Sequence, residues 1–211
     1  MKKIIVIGGG DFAKKVIRLL QKIKKYNIIG YTDKQNRGSI FNVKYLGSDV
    51  LLGKLNKQIK NVNAVLAIVG NTKDLLLRKK LIKKIEKIGI KTPSIISPSA
   101  TIEKYSSIKD GCVVFDGSLI DFSVSVGNFS VINLNATICH DCKISDNLIL
   151  SPDGIILGNC RVGKNVFIGT NATINPYIKI NDESIIGSGA VVTKNCLSKG
   201  IYVGNPARRA N

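Results

Sequence analysis

Every sixth residue from Ile96 to Val192 is aliphatic: Ile96, Ile102, Ile108, Val114, Ile120, Val126, Ile132, Ile138, Ile144, Leu150, Ile156, Val162, Ile168, Ile174, Ile180, Ile186 and Val192. If about a third of residues were Ile, Leu or Val, seventeen in succession would arise by chance roughly once in a hundred million trials, and a fixed short period marks a repeat fold. A chain that returns an aliphatic side chain every six residues can bury them together by winding into a β-helix. Turns of Gly, Asn, Asp and Ser then separate its short strands. Three hexapeptides complete one triangular coil, so residues 18 apart are expected to stack.

The position four residues after each aliphatic one is mostly small: Ala100, Ser106, Ser118, Ser130, Ala136, Ala172, Ser184 and Ala190, and also Cys112, Cys142, Cys160 and Cys196. Four of the five cysteines therefore fall where a small apolar thiol packs inside the coil, and disulfides are not expected. Cys139 and Cys142 have C-x-x-C spacing, but no second such pair exists and one histidine cannot complete a tetrahedral site, so no metal is expected.

The amino-terminal part has a different grammar. Residues 3 to 7 form a buried-strand run, Gly8-Gly9-Gly10 a turn, and the helix that follows has the apolar face Phe12, Val16, Leu19, Leu20 and Ile23. A second strand, Asn27 to Tyr31, ends near Asp33, and a third, Ala64 to Val69, ends at Gly70-Asn71. Leu75 to Ile88 reads as an amphipathic helix stopped by Gly89. Alternating strands and helices predict a small parallel sheet with right-handed crossovers, a half-Rossmann α/β domain. With the proline-flanked junction from Thr92 to Pro98, the expected domains are residues 1–92 and 93–211.

Gly8-x-Gly10-x-x-Ala13 after a strand, with Asp33 about twenty residues further on, matches the dinucleotide fingerprint in its G/A form. Three readings stay open. NAD is one, and a mononucleotide half is another, since the α/β part ends near residue 92. In either case loop amides and the positive helix end favour phosphate, and Asp33 can accept from ribose or base. The third is a plain tight turn.

A net charge of +18 invites nucleic acid. The basic residues are spread along amphipathic helices, as in Arg78-Lys79-Lys80 and Lys83-Lys84, with no zinc-finger, RNP or basic-zipper pattern. Solvated helix faces explain them, so nucleic acid is not expected, while small polyanions such as nucleotide diphosphates and coenzyme A suit the charge. The chain opens on two lysines and a strand-like run without a secretory signal, and no stretch reaches membrane-spanning length. A cytoplasmic protein with no membrane partner is the expectation.

The one histidine, His140, lies in the repeat beside Asp141. It follows Ile138 by two, a slot that elsewhere holds Asn128, Gly158 and Ser188, so it should lie near a coil corner and face outward. Its stacked neighbour one coil on, Gly158, has no side chain and would leave room for a ligand beside the imidazole. Asp141 could favour the imidazolium and raise the ring's basicity. This pair is the candidate for proton transfer.

Taken in order, the glycine loop, GYTD, IVGN, IISPSA, INLNATICHDC, GNCRVGKNVFIGTNATI and the terminal GNPAR resemble the PglD/NeuD-like sugar acetyltransferases of the left-handed β-helix (hexapeptide-repeat) superfamily, over nearly the whole chain. The resemblance implies a homotrimer, with acetyl-CoA as co-substrate between neighbouring β-helices and a sugar nucleotide on the amino-terminal domain. It implies His140 as general base, oriented by Asp141, in N-acetylation of a UDP- or dTDP-linked 4-amino-4,6-dideoxy sugar. By the same resemblance Gly10, Asp11, Phe12, Asp33, Lys34 and Gly70 fall at nucleotide-sugar positions, and Ile149, Thr170 and Ser188 at acetyl-CoA positions; Gly158 joins the acetyl-CoA set through its stacking beside His140.

Three departures stand out: Asp11-Phe12 replaces a common Gly-His pair, Lys34 follows Asp33 where a second acid is frequent, and Ile149 replaces a second histidine. O-acetylation of a sialic-acid-type sugar is the nearest alternative. A noncatalytic sugar-nucleotide-binding subunit is the alternative of another class. A zinc enzyme of the carbonic-anhydrase kind fails for want of histidines.

Overall fold

A computed structural model of the chain describes residues 1–70 and 72–210, with the side chains of all of these except 72–74. The chain divides into two compact units, Met1–Ile95 and Ile96–Asn211.

In the first unit β1 (Lys2–Ile7) lies between β2 (Tyr26–Thr32) and β3 (Asn63–Leu66), all parallel. Ile4, Ile5, Val6 and Ile7 of the central strand are completely buried, which is why this strand reads as a continuous rather than an alternating apolar run. Helix α1 (Asp11–Ile23) buries Ala13, Val16, Ile17, Leu19 and Leu20. The buried set 13, 16, 17, 20 has i, i+3, i+4, i+7 spacing. The expected face was therefore misplaced at its ends, since Phe12 and Ile23 are only half-buried.

The third strand stops at Leu66, short of the expected Val69. Its partner β1 ends at Ile7, because Gly8 turns away with φ +116°. A Cβ at Gly8 would lie 2.6 Å from the Ala67 carbonyl oxygen, so only glycine lets the two strand ends converge. Gly70 lies in the loop that follows, while Asn71 is outside the described residues. Between β2 and β3 a short 3₁₀ turn, Asp49–Leu51, leads into α2 (Leu52–Gln58), an element the sequence reading did not anticipate.

Helix α3 (Thr72–Ile88) ends at Gly89, whose φ of +68° and N–H bond to the Ile85 carbonyl close it as expected. Its basic residues depart from expectation most at Arg78. Arg78 is not on a solvated face but fully buried, and its Nη1 donates to the Ile68 carbonyl at 2.8 Å, fastening the loop that leads to Gly70. No helix among the described residues is long and apolar enough to cross a membrane.

The second unit is a parallel β-helix of two-residue strands in sheets of eight, six and five strands. For brevity, sheet I contains Val131–Ile132 and Ile149–Leu150, sheet II Leu119–Ile120, Thr137–Ile138 and Ile155–Ile156, and sheet III Ser125–Val126, Lys143–Ile144 and Arg161–Val162. Register is 18 residues per coil, as in Leu119↔Thr137↔Ile155. From Ile120 to Val192 every residue of the six-residue series is buried, each apolar side chain contributing roughly 1.5–3 kcal/mol. Cys112, Cys142, Cys160 and Cys196 are buried in the small-residue slot, and all five cysteines are free thiols.

The corners have their own rule. The residue three after the aliphatic one is left-handed in coil after coil: Asn135, Asp141, Asn147, Asp153, Asn159, Asn165 and Asn171 all have φ between 56° and 62°. Asn and Asp tolerate that region best among residues with a side chain. Beyond the repeat, Ile201–Val203 extends sheet I in parallel with Ile185–Ile186, and Arg208–Arg209 returns antiparallel along it.

Candidate active site

In the first unit a groove of about 620 Å³ runs past the start of α1, lined among others by Gly9, Gly10, Asp11, Lys14 and Arg37. Gly10 is the N-cap of α1 and no side chain caps that helix, which leaves its positive end facing the groove as a place for phosphate. Asp33 has a structural task in the loop. Its Oδ2 accepts the Gly9 N–H at 2.8 Å and its Oδ1 accepts the Gln35 N–H at 3.0 Å, so the carboxylate holds the glycine loop in place.

Asp11 is exposed and pairs with Lys14 Nζ at 2.9 Å. That hydrogen bond, and then the lysine charge, lower its carboxyl below the usual range. Phe12 is half-buried, Lys34 exposed and Gly70 half-buried. Of the six expected substrate residues, Gly10 and Asp11 line the groove and Asp33 supports it.

In the second unit His140 and Asp141 occupy the corner between sheets II and III. The left-handed turn at Asp141, φ 58°, is what brings its side chain beside the histidine that precedes it. His140 Nδ1 lies 2.9 Å from Asp141 Oδ2, with both side chains a little under half exposed. With Nδ1 engaged by a carboxylate, the tautomer this favours carries its proton on Nδ1 and leaves Nε2 free to accept.

The coils above and below set the ring plane. Gly158 does not leave an empty space as expected: an added Cβ there would lie 2.7 Å from both Cε1 and Nε2 of His140, so the imidazole itself fills the room that glycine vacates. On the opposite face the Phe122 ring stacks on the imidazole, with centroids 5.3 Å apart and planes 11° from parallel. Phe122 and Asp121 were not singled out from sequence, although the 18-residue stacking rule that points forward to Gly158 points backward to Phe122.

The other expected acetyl-CoA residues lie elsewhere on the same β-helix. Thr170 and Ser188 are exposed, 18 apart, and form a column at the corner between sheets I and II. Ile149 is completely buried in sheet I between Val131 and Phe167. Within one chain, His140 and Gly158 thus sit on one edge of the triangular coil and Thr170 and Ser188 on another. Among the described residues no group of three or more His, Cys, Asp or Glu could hold a metal ion. Cys142 is buried with its thiol on the Leu157 carbonyl at 3.1 Å, and burial pushes the Cys139 thiol up.

Known proteins are similar to this chain in both of its units. Residues 3–85 match the PglD N-terminal domain and residues 159–194 the bacterial transferase hexapeptide (six repeats). No curated protein matches the chain. A histidine-to-asparagine variant of perosamine N-acetyltransferase from Caulobacter crescentus, in complex with CoA and GDP-perosamine, is similar with TM-score 0.91 and 27% identity over 99% of this chain and 97% of that one. The acetyltransferase domain of PglB from Neisseria gonorrhoeae, in complex with acetyl coenzyme A, is similar with TM-score 0.91 and 27% identity over 99% of each chain. WeeI from Acinetobacter baumannii is similar with TM-score 0.87 and 25% identity over 98% of this chain and 99% of that one. With both domain families in order, and full-length similarity to sugar acetyltransferases, the chain belongs to the PglD-like acetyltransferases, in which a small α/β domain precedes a left-handed parallel β-helix.

Proposed function

We propose that the protein transfers the acetyl group of acetyl-CoA to the amino group of a nucleotide-linked 4-amino-4,6-dideoxy sugar, with His140 as general base and Asp141 orienting it. The observation that carries this reading is the fixed imidazole, bound to Asp141 through Nδ1 at 2.9 Å and flanked on both faces, with Nε2 free. Nε2 takes a proton from the attacking amine as the new C–N bond forms at the thioester carbonyl. The tetrahedral intermediate then collapses, the C–S bond breaks, and CoA leaves as a thiolate that the imidazolium can reprotonate. Asp141, in contact with Nδ1, orients the ring throughout.

CoA and GDP-perosamine bound to the Caulobacter enzyme, and acetyl-CoA bound to the Neisseria domain, support a CoA thioester and a nucleotide amino sugar as the two substrates. In the first unit Lys14 and Arg37 line a groove at the uncapped start of α1, which suits a diphosphate. Gly10, Asp11, Phe12, Asp33, Lys34 and Gly70 are the proposed sugar-nucleotide residues, with Asp33 acting through the loop it holds. UDP and dTDP are the nucleotides that family resemblance implies, and GDP joins them because of the Caulobacter complex.

A homotrimer is part of the same proposal. Gly158 beside His140, and Thr170 with Ser188 on another edge, serve one acetyl-CoA if a neighbouring copy supplies the second edge. The test is thiol release from acetyl-CoA with UDP-, dTDP- and GDP-linked 4-amino-4,6-dideoxyhexoses. Turnover with one of the three is expected. Acetyl-CoA binding without turnover on any amine, but with turnover on a free sugar hydroxyl, would replace this reading with O-acetylation; no CoA binding would replace it with a noncatalytic subunit.

A further inference from the structure

We infer that Phe122 is a positioning residue for His140, an aromatic backstop that fixes the plane of the imidazole; the inference rests on His140 being the base. The geometry is three-sided. Phe122 stacks on one face, 5.3 Å between centroids and 11° from parallel. Gly158 meets the other face so closely that no side chain fits there. Asp141 holds the Nδ1 edge at 2.9 Å. The remaining edge, with Nε2, is the one left to an acceptor.

The backstop is itself held. Asp121 Oδ1 accepts the backbone N–H of Phe122 at 2.8 Å, and its Oδ2 accepts the backbone N–H of His140 in the next coil at 3.2 Å. The Phe122 carbonyl in turn accepts the Asp141 N–H at 3.2 Å. One carboxylate and one carbonyl therefore tie the residues that carry the two rings and the orienting acid across adjacent coils. The coil stacking alone does not require an aromatic at this place: the same column holds Lys104, Phe122, His140, Gly158 and Pro176. Phe122 is 47% exposed, an unusual situation for a phenylalanine whose use is only to fill a core. Holding the ring in place matters because misplacing a reacting group by about 1 Å can cost on the order of 100-fold in rate.

The experiment combines kinetics with NMR of the one histidine, whose ring signals can be assigned without a second histidine to confuse them. In the wild type, the phenyl ring current should displace the His140 ring protons upfield, and Phe122→Leu and Phe122→Ala should abolish that displacement. Both variants should lower kcat by about 10- to 100-fold with KM for acetyl-CoA and acceptor changed less than about threefold. Phe122→Tyr, which keeps the stack, should restore both kcat and the shift.

Wild-type kcat in Phe122→Leu, alongside an inactive His140→Ala, would overturn the positioning role and leave the base intact. Full turnover in His140→Ala would instead remove the base, and this inference with it. A rise in KM at unchanged kcat, or wild-type ring shifts identical to those of Phe122→Leu, would also overturn it.

Discussion

Gly158→Ala changes a single hydrogen for a methyl group outside the reacting pair, and a large effect on turnover is still expected. The added methyl carbon would sit 2.7 Å from Cε1 and from Nε2 of His140. Unstrained nonbonded carbons stay about 3.5–4.0 Å apart, so the ring must move by about 1 Å. Direct retreat is opposed by Phe122, parallel to within 11° on the far face. Sideways motion stretches the 2.9 Å contact to Asp141. Either way Nε2 leaves its place, and kcat should fall on the order of 100-fold.

Folding should change little. Gly158 is not among the left-handed glycines, so alanine is compatible with its backbone. Replacing glycine also stabilises by roughly 0.4–1 kcal/mol through the unfolded chain, offsetting part of the local strain. The assay is thiol release from acetyl-CoA at saturating acceptor, with a thermal melt of the same samples. Combining Gly158→Ala with Phe122→Ala should cost less than the product of the two single losses, because both act on one ring. A Gly158→Ala enzyme with wild-type kcat and an unchanged melt would refute the argument that the ring's place is set by its neighbours.

Two further outcomes follow from the first unit. At Gly10 an added Cβ meets nothing within 4 Å, so Gly10→Ala should fold normally, project its methyl into the groove, and raise KM for the sugar nucleotide on the order of tenfold at constant kcat. Gly9→Ala, whose Cβ would lie 2.7 Å from the Tyr31 ring, should instead lower the melting temperature, and an unaltered KM in Gly10→Ala would place the nucleotide elsewhere. Asp49 is half-buried with its Oδ1 accepting the Thr32 hydroxyl at 2.6 Å, and burial raises its carboxyl above the ordinary 3.8. The folded state thus holds more protons than the unfolded chain in the window above 3.8, and the stability this residue contributes falls as pH rises through it. Melting curves of Asp49→Asn and wild type should therefore diverge in favour of asparagine from about pH 4 toward neutrality, and a difference that shrinks would contradict the sign.

The β-helix was legible because each coil repeats one steric demand. An inward aliphatic residue and a small residue four positions later recur at fixed spacing, and the position of His140 near a coil corner is read from the count. Features that depend on a single tertiary contact were not legible. Arg78 looks like any helix-surface cation in the run Arg78-Lys79-Lys80, yet the Ile68 carbonyl gives it a buried partner. The strand ending at Leu66 is cut short by Gly8, which follows the end of a different strand, and the helix face is shifted by Ala13, too small to weigh in a pattern of large apolar residues.

At the candidate site, Gly158 was found by coil arithmetic but misread. Its missing side chain makes room for the imidazole rather than for a ligand. That the Asp33 carboxylate also holds the loop's own amide depends on a tertiary contact that the sequence pattern does not show. The same arithmetic separates Thr170 and Ser188 from His140 onto different edges of the coil.

The central claim is that His140 carries the proton in acetyl transfer to an amine. Its most direct test is the rate of CoA thiol release with acetyl-CoA and the accepted sugar nucleotide, wild type against His140→Ala, with acetyl-CoA binding and the melt measured on both. The account predicts that His140→Ala binds acetyl-CoA and melts like wild type while its turnover drops by roughly 10²- to 10⁴-fold. Turnover within a factor of about three of wild type would contradict it.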